Sequence, residues 1–434
     1  MAAVSKTPDK SFPRALPKAA DLEALYRFLS NERVESEELL APHLAATVER
    51  AQAAGTCYAI HDSSNMMMTG EAPRGDVGSL DGHGASFLGH FCLAASVGQQ
   101  SAPLGLLGLE ALFRVEGPRR AKPEWRDVYG RQDKESLRWP RLLERVEALV
   151  AQRAQLIHLM DSEGDDYALL ASLVTKSRRF VVRVRTNRVL ANGAGKLDDS
   201  LATVEAVVCR TVHVGARSKA ACHGRKTKHT PRAAREAKLQ IRAQRLELLR
   251  PDQVRPPLPR SLTLHVVHVY EVEPPEGVEP IDWKLYTTEP IDTPEELSAV
   301  VDHYRARWLI EEYFKALKTG CAFEKRQVES QRALLNTLVI YAPIACHLLA
   351  LKREGSLDSV AKTLTDRQVS VLRAVLGEPL PAEPTARELM LAVARLGGHI
   401  KHNGEPGWQV IGRGYLDLLA YEVGWAARET CDQS

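Results

Sequence analysis

The stretch from Thr293 to Lys318 restricts this chain most, because it joins a strong helix start to two faces of opposite character. Thr293-Pro294-Glu295-Glu296 offers an N-cap, a proline at the first helical position and two first-turn acids. At about 100° per residue, the spacing predicts a helix with Leu309, Ile310, Tyr313, Phe314 and Leu317 on one side. Tyr304, Arg307, Glu311, Lys315 and Lys318 gather on the other, within an arc of roughly 80°. Such a stripe is ordinarily a solvated face, with i,i+4 pairs from Arg307 to Glu311 and Glu311 to Lys315 contributing about a few tenths of a kcal/mol each. It becomes a metal-binding carboxylate among phosphate-gripping cations only if further carboxylates arrive from elsewhere.

Two acids qualify. A short strand, Cys57 to Ile60, is expected to deliver Asp62 at its exit, although an Asp before two serines is also an ordinary turn start. The apolar run Gln155 to Met160 is expected to do the same for Asp161. Asp165 and Asp166 compete for a role and read as first-turn acids of the next helix. Three carboxylates of this kind suit phosphodiester cleavage, where negative charge develops on both the attacking and the leaving oxygen. Two Mg²⁺ or Mn²⁺ ions about 3.5–4 Å apart stabilise both, and hard oxygen donors suit those ions.

The remaining chain reads as mixed α/β. Two helices are expected between Asp21 and Ala54, closed by Gly55, and strands at Ser86–Ser96 and Pro103–Val115. A helix follows at Leu142–Ala154, and the pattern turns β-rich from Thr203 to Glu289. The tail from Asp366 to Ser434 reads as short helices of a packing or association module. Leu334 to Leu351 is apolar, but Asn336, Thr337, Pro343 and His347 interrupt it, so a buried helix is expected rather than a membrane span. No Walker A loop occurs, and Cys209, His213, Cys222, His223 and His229 lack the regular gaps of a zinc site. Seven cysteines without regular spacing suggest free thiols in a reducing cytoplasm, and the first residues lack the apolar core of a signal peptide.

Tyr304, Arg307, Glu311 and Lys318 stand as Y-x2-R-x3-E-x6-K. This signature resembles that of the bacterial cut-and-paste DDE transposases of the insertion-sequence-four group, which includes the transposase of transposon Tn-five. The resemblance covers nearly the whole chain after about residue 21, with Asp62, Asp161 and Glu311 matching the family's D, D and E in IHDSS, LMDSEGDD and RWLIEEYFKALKTG. It implies a shortened helical N-terminal end-binding region (1–54), and an RNase H-like catalytic core (55–202 and 290–355) interrupted by a β-rich basic insertion (203–289). It further implies a helical C-terminal dimerisation and synapsis region (356–434). Trp283 matches the tryptophan that stacks on a flipped base, and Tyr304, Arg307, Lys315 and Lys318 become DNA contacts. The implied partners are double-stranded DNA, both transposon ends and target, and a second copy of the chain in a synaptic complex; no membrane is involved, and the place is the bacterial nucleoid.

The family's opening helices have no clear counterpart in residues 1–20, so end recognition is expected to fall to Asp21–Ala54 and to discriminate little. The competing reading is a non-catalytic relative that dimerises with a full-length transposase and inhibits it. A structure-specific nuclease on the same fold is a third. Intact carboxylates and an intact signature favour an enzyme.

The formal net charge is only +3, yet Arg210 to Arg260 holds 14 Lys/Arg against 3 Asp/Glu, a polyanion-binding block. Neutralising several of its cations should flatten the plot of log DNA affinity against log salt, since fewer counterions are released. An unchanged slope would show that the block faces another partner.

Overall fold

The computed structural model describes residues 12, 18–69, 76–80, 84–114, 135–216, 232–254, 257–357, 362–377, 380–400, 402 and 404–431. These fall into two compact units, one from 1–123, 141–155 and 308–434, the other from 124–140 and 156–307. Gly70–Gly84, whose glycines and polar residues read as a hairpin loop in the sequence, lies largely outside the described residues, and the basic residues 217–231 wholly so.

In the first unit, α1 (Ala19–Ser30) and α2 (Ser36–Ala54) are the two expected helices, and α2 ends on Gly55 at φ +70°. Three antiparallel strands follow: β1 (Thr56–Met67), β2 (Ser86–Ser96) and β3 (Pro103–Phe113), with β2 in the middle. Glycines let helices approach one sheet face closely. A Cβ on Gly105, at φ +132°, would sit 2.2 Å from Thr47 of α2. One on Gly108 would sit 2.8 Å from Leu142 of α3 (Arg138–Val150). Residues paired directly across β1 and β2 share a face, so Asp62 stands with Phe91, while His61 and Ser63 stand with Cys92 and His90 on the other. Asp62 therefore lies inside a 12-residue strand and not at a strand exit, because pairing with β2 continues through polar His61, Asp62, Ser63 and Ser64. The apolar run was too short a guide; the ladder continues as long as its partner does.

The second unit opens with β4 (Gln155–Met160), which ends where expected, on Asp161. Asp161 caps a 3₁₀ turn by accepting from the Glu163 amide at 2.9 Å. Asp166 caps α4 (Tyr167–Thr175) through the Ala168 and Leu169 amides. β5 (Arg179–Arg183) runs parallel to β4, and α5 (Leu197–Ala202) leads to an antiparallel meander. That meander is β6 (Val208–Val214), β7 (Arg235–Leu249), β8 (Ser261–Val272) and β9 (Asp282–Thr287), with β9 also pairing antiparallel to β5. The strand order in this unit is thus β4-β5-β9-β8-β7-β6.

The helix α6 (Pro294–Ala306) begins with the capping box foreseen at Thr293 and Glu296. It does not continue to Lys318. A turn at Arg307–Trp308 precedes α7 (Leu309–Lys315), and a π-helical turn, Ala316–Gly320, follows. The apolar side is as read: Leu309, Ile310, Tyr313, Phe314 and Leu317 are all buried. Tyr304, expected on the polar side, is buried too, because α6 packs on β5, β7 and β8 of its own unit.

After α7 comes α8 (Gln331–Leu357), long and apolar enough to cross a bilayer by composition, with 67% of its apolar window buried. The helices α9 (Asp366–Val375), α10 (Ala386–Leu396) and α11 (Trp408–Cys431) complete the described chain. α11, at 24 residues, is much longer than the short helices expected there.

Asp165 corrects another reading. Its side chain is fully buried, ion-pairs with Arg188 at 2.6 Å and accepts from the Arg185 and Thr186 amides. It braces the loop after β5 and is no helix-dipole acid. Asp165→Ala leaves the Arg188 guanidinium buried and uncompensated, and should cost about 3–5 kcal/mol in denaturant unfolding. A loss below about 1 kcal/mol would show the pair is dispensable.

Candidate active site

The helix carrying Glu311 is held by aromatic packing inside the first unit. Tyr313 and Phe314 of α7 meet the Phe91 ring at centroid distances of 5.6 and 5.5 Å. Phe91 shares its sheet face with Asp62, so α7 lies on the face that displays this aspartate. Asp62 is 8% exposed and accepts from the Ser63 amide at 2.7 Å, whereas Glu311 is half-buried. Lys318, on the π turn, donates to the Asn65 carbonyl of β1 at 2.5 Å and sits 3.4 Å from Glu324. Lys315 donates to Glu312 at 2.6 Å and lies 5.9 Å from the centre of the Trp308 ring, which is 58% exposed. A π turn widens the helix where it occurs and often marks functional positions.

The second unit gathers the other residues. Met160 and Val182 pair in register, so Asp161 and Arg183 occupy neighbouring ends of parallel strands. Tyr304, on the last turn of α6, meets Trp283 of β9 edge to face at 5.5 Å. The Arg307 guanidinium lies 5.8 Å from the Tyr304 ring centre. Burial pushes the Tyr304 phenol above its ordinary value; Arg307 and Arg183 oppose the shift, the latter partly by hydrogen bonding, while the Asp161 carboxylate adds to it. Asp161, Arg183, Trp283, Tyr304 and Arg307 thus form one electrostatic neighbourhood. Arg183 escaped the sequence reading, since an arginine closing a short strand carries no spacing signal.

Among the described residues, no group of three or more His, Cys, Asp or Glu side chains is gathered as a metal site. Asp62 and Glu311 belong to the first unit and Asp161 to the second.

The basic block is less free than its charge count suggests. Arg210 pairs with Asp302 at 3.0 Å, and Arg235 with Glu271, whose side chain is 2% exposed. The Arg242 guanidinium lies 4.8 Å over the Tyr270 ring and donates to His268. Arg235 and Arg242 brace β7 against β8, and Arg210 ties β6 to α6. Arg217, Lys219, Arg225, Lys226 and Lys228 lie outside the described residues.

Comparison with known families decides the class. Residues 131–348, half of the 434, match the family described as the transposase DDE domain. The chain belongs to the DDE transposase family. Enzymes with this domain cleave and rejoin DNA strands and depend on divalent metal ions. The matched span includes Asp161, Trp283, Tyr304, Arg307 and Glu311, and begins after Asp62. Residues 1–34 match a second family, transposase DNA-binding, which corrects the expectation that the first 20 residues have no counterpart. Among solved structures, the piggyBac transposase synaptic complex with hairpin DNA matches at 10% identity and a TM-score of 0.31. The alignment covers 72% of this chain and 49% of that one, so the transposase chain spans about half that relative's length.

Because the Tyr304 phenol is raised, it is still protonated when the same phenol in the unfolded chain has ionised. Its contribution to stability is fully present below the unfolded value near 10 and is lost as pH rises through the higher folded value. Tyr304→Phe should therefore flatten the alkaline fall of stability in that window. An identical pH profile for the variant and the parent chain would contradict this placement.

Proposed function

We propose that this chain is a cut-and-paste transposase of the insertion-sequence-four group, acting on double-stranded transposon ends. What carries the reading is the packing of α7 on the sheet face of Asp62, in a chain whose DDE match contains the other two acids. The donor set fits divalent ions: three carboxylates, one buried and two half-buried, are hard oxygen ligands. Asp62, Asp161 and Glu311 would hold two Mg²⁺ or Mn²⁺ ions, which when bound offset the charge developing on the attacking and leaving oxygens.

The chain's own residues do the remainder. In the first step water attacks the phosphorus at the element end and the 3′ oxygen leaves. That 3′-OH then attacks the phosphorus of the opposite strand, displacing the 3′ oxygen of the flanking DNA and closing a hairpin. Water attacks the hairpin phosphorus and frees the 3′-OH again, which attacks a target phosphodiester and displaces a target 3′ oxygen. Lys318 and Lys315 grip phosphates along the α7 side, and Arg307 does so beside Tyr304. Trp283 receives the base displaced at the hairpin, with the Tyr304 ring bracing its edge. Arg183 shields the Asp161 neighbourhood electrostatically and orients the Tyr304 phenol.

In this reading the catalytic core is RNase H-like (55–202 and 290–355), interrupted by the basic insertion 203–289. Residues 1–54 hold the end, residues 356–434 mediate pairing of two copies into a synaptic complex, and the cell is bacterial. The match over residues 1–34 supports end recognition by this region.

Single changes of Asp62, Asp161 or Glu311 to Ala should each abolish Mg²⁺-dependent nicking while preserving the circular dichroism spectrum. Near-normal cleavage by two of the three would sink the assignment. Arg307→Ala should leave the melting temperature nearly unchanged, since a partly exposed ion contributes at most about 1 kcal/mol, yet weaken hairpin formation. A large stability loss with normal hairpin yield would make it a structural residue.

A further inference from the structure

Arg326 is, among the described residues, one of the largest side chains to be almost wholly buried, at 1% exposure, and the chemistry above makes no use of it. A guanidinium is costly to bury unless its donors and its planar faces are both occupied. Here one nitrogen donates to the Cys321 carbonyl at 2.6 Å, and the ion lies 4.5 Å from the Tyr341 ring centre. Its other ring contact, at 5.6 Å, is Phe12. Phe12 is itself 2% exposed and lies within the span matching the transposase DNA-binding family. It meets Tyr26 of α1 edge to face at 6.0 Å.

Each end of this contact reaches something functional in the same unit. Cys321 is the residue after the π turn, and its amide closes that turn on Ala316 at 2.8 Å. The turn carries Lys318, which reaches β1 at Asn65, three residues beyond Asp62. Its other side is clamped by α11, where a Cβ on Gly412 would fall 2.2 Å from the Gly320 carbonyl. α1 is tied to the same core by Asn336, which donates to the Leu29 carbonyl at 2.9 Å.

We infer that Arg326 is a positioning residue that links the N-terminal DNA-binding segment, through Phe12, to the π turn presenting Lys318. It rests on the transposase reading for its consequence in catalysis, but the mechanical link stands on these contacts. The chemistry asks for arginine in particular. A guanidinium can lie against the Tyr341 ring, reach Phe12 and still donate to the Cys321 carbonyl; a lysine ammonium supplies charge without the broad planar ion. Loss of the Phe12 contact would then loosen the turn, and keeping it would hold Lys318 in place for the end being cut.

Two measurements test this on the full chain. The first is amide hydrogen exchange over residues 316–321 and 24–29, in the parent, Phe12→Leu, Arg326→Met and Arg326→Lys. Phe12→Leu keeps an apolar side chain, yet it should speed exchange in the π turn as well as in α1. Arg326→Met should do the same in both places, and Arg326→Lys should resemble Arg326→Met. Changes confined to α1 for Phe12→Leu and to the turn for Arg326→Met would overturn the link, as would full protection in Arg326→Lys. The second is Mg²⁺-dependent nicking of a duplex carrying the flanking inverted repeat. Arg326→Met should lower the turnover rate about tenfold or more with the half-saturating DNA concentration nearly unchanged, as expected of a misplaced group. In a Lys318→Ala background the same change should add no more than about twofold. Independent, multiplying effects would contradict the inference. A parent chain that does not nick would defeat the proposed function alone, since exchange still decides the link.

Discussion

The packing of Tyr313 and Phe314 on Phe91 is the contact that covers the sheet face displaying Asp62 in the first unit. It fixes α7, and with it Glu311, on the side of the sheet where Asp62 stands. Large buried aromatics suit the task, because they offer area and a preferred geometry, and truncating one typically costs about 3–5 kcal/mol. From that anchor the π turn swings Lys318 toward β1, so the β1–β2 pair that displays Asp62 is held from two points of a single helical segment.

The second unit uses a different device. Its acid, Asp161, leaves a buried strand and is fixed by its own backbone through a 3₁₀ cap. Around it, Arg183, Arg307, Tyr304 and Trp283 combine cation–π, edge-to-face and hydrogen-bond contacts. Buried Asp165, four residues further on, looks equally eligible by sequence but is consumed by Arg188 and two amides. Two neighbouring aspartates with opposite fates follow from their surroundings: one is committed to the fold, the other stays half-exposed beside cations.

Much of this was legible in the residues. The capping box at Thr293, the strand ending at Met160 and the buried side of Leu309–Leu317 follow from local chemistry and period, and the structure has them. The Y-x2-R-x3-E-x6-K spacing named a family that the match over residues 131–348 shares at the level of the DDE domain. What local pattern misses is tertiary. The length of β1 was set by its partner β2, and the burial of Tyr304 by sheet packing. A helical wheel carries a stripe smoothly through Arg307 and Trp308, whereas the chain turns there and passes from one unit to the other. Arg183 and Arg326 carried no motif, and only their neighbours give them meaning.

The central claim is that Asp62, Asp161 and Glu311 hold divalent ions together during cleavage. The most direct measurement replaces Mg²⁺ with Fe²⁺ in the DNA-bound chain and maps where peroxide-generated radicals cut the backbone, since cutting is confined to the metal's surroundings. The account predicts cuts at three places, around residues 62, 161 and 311, all three lost together when any one acid becomes alanine. Cutting around only one or two of them, or cuts at 161 that persist in Asp62→Ala, would contradict it.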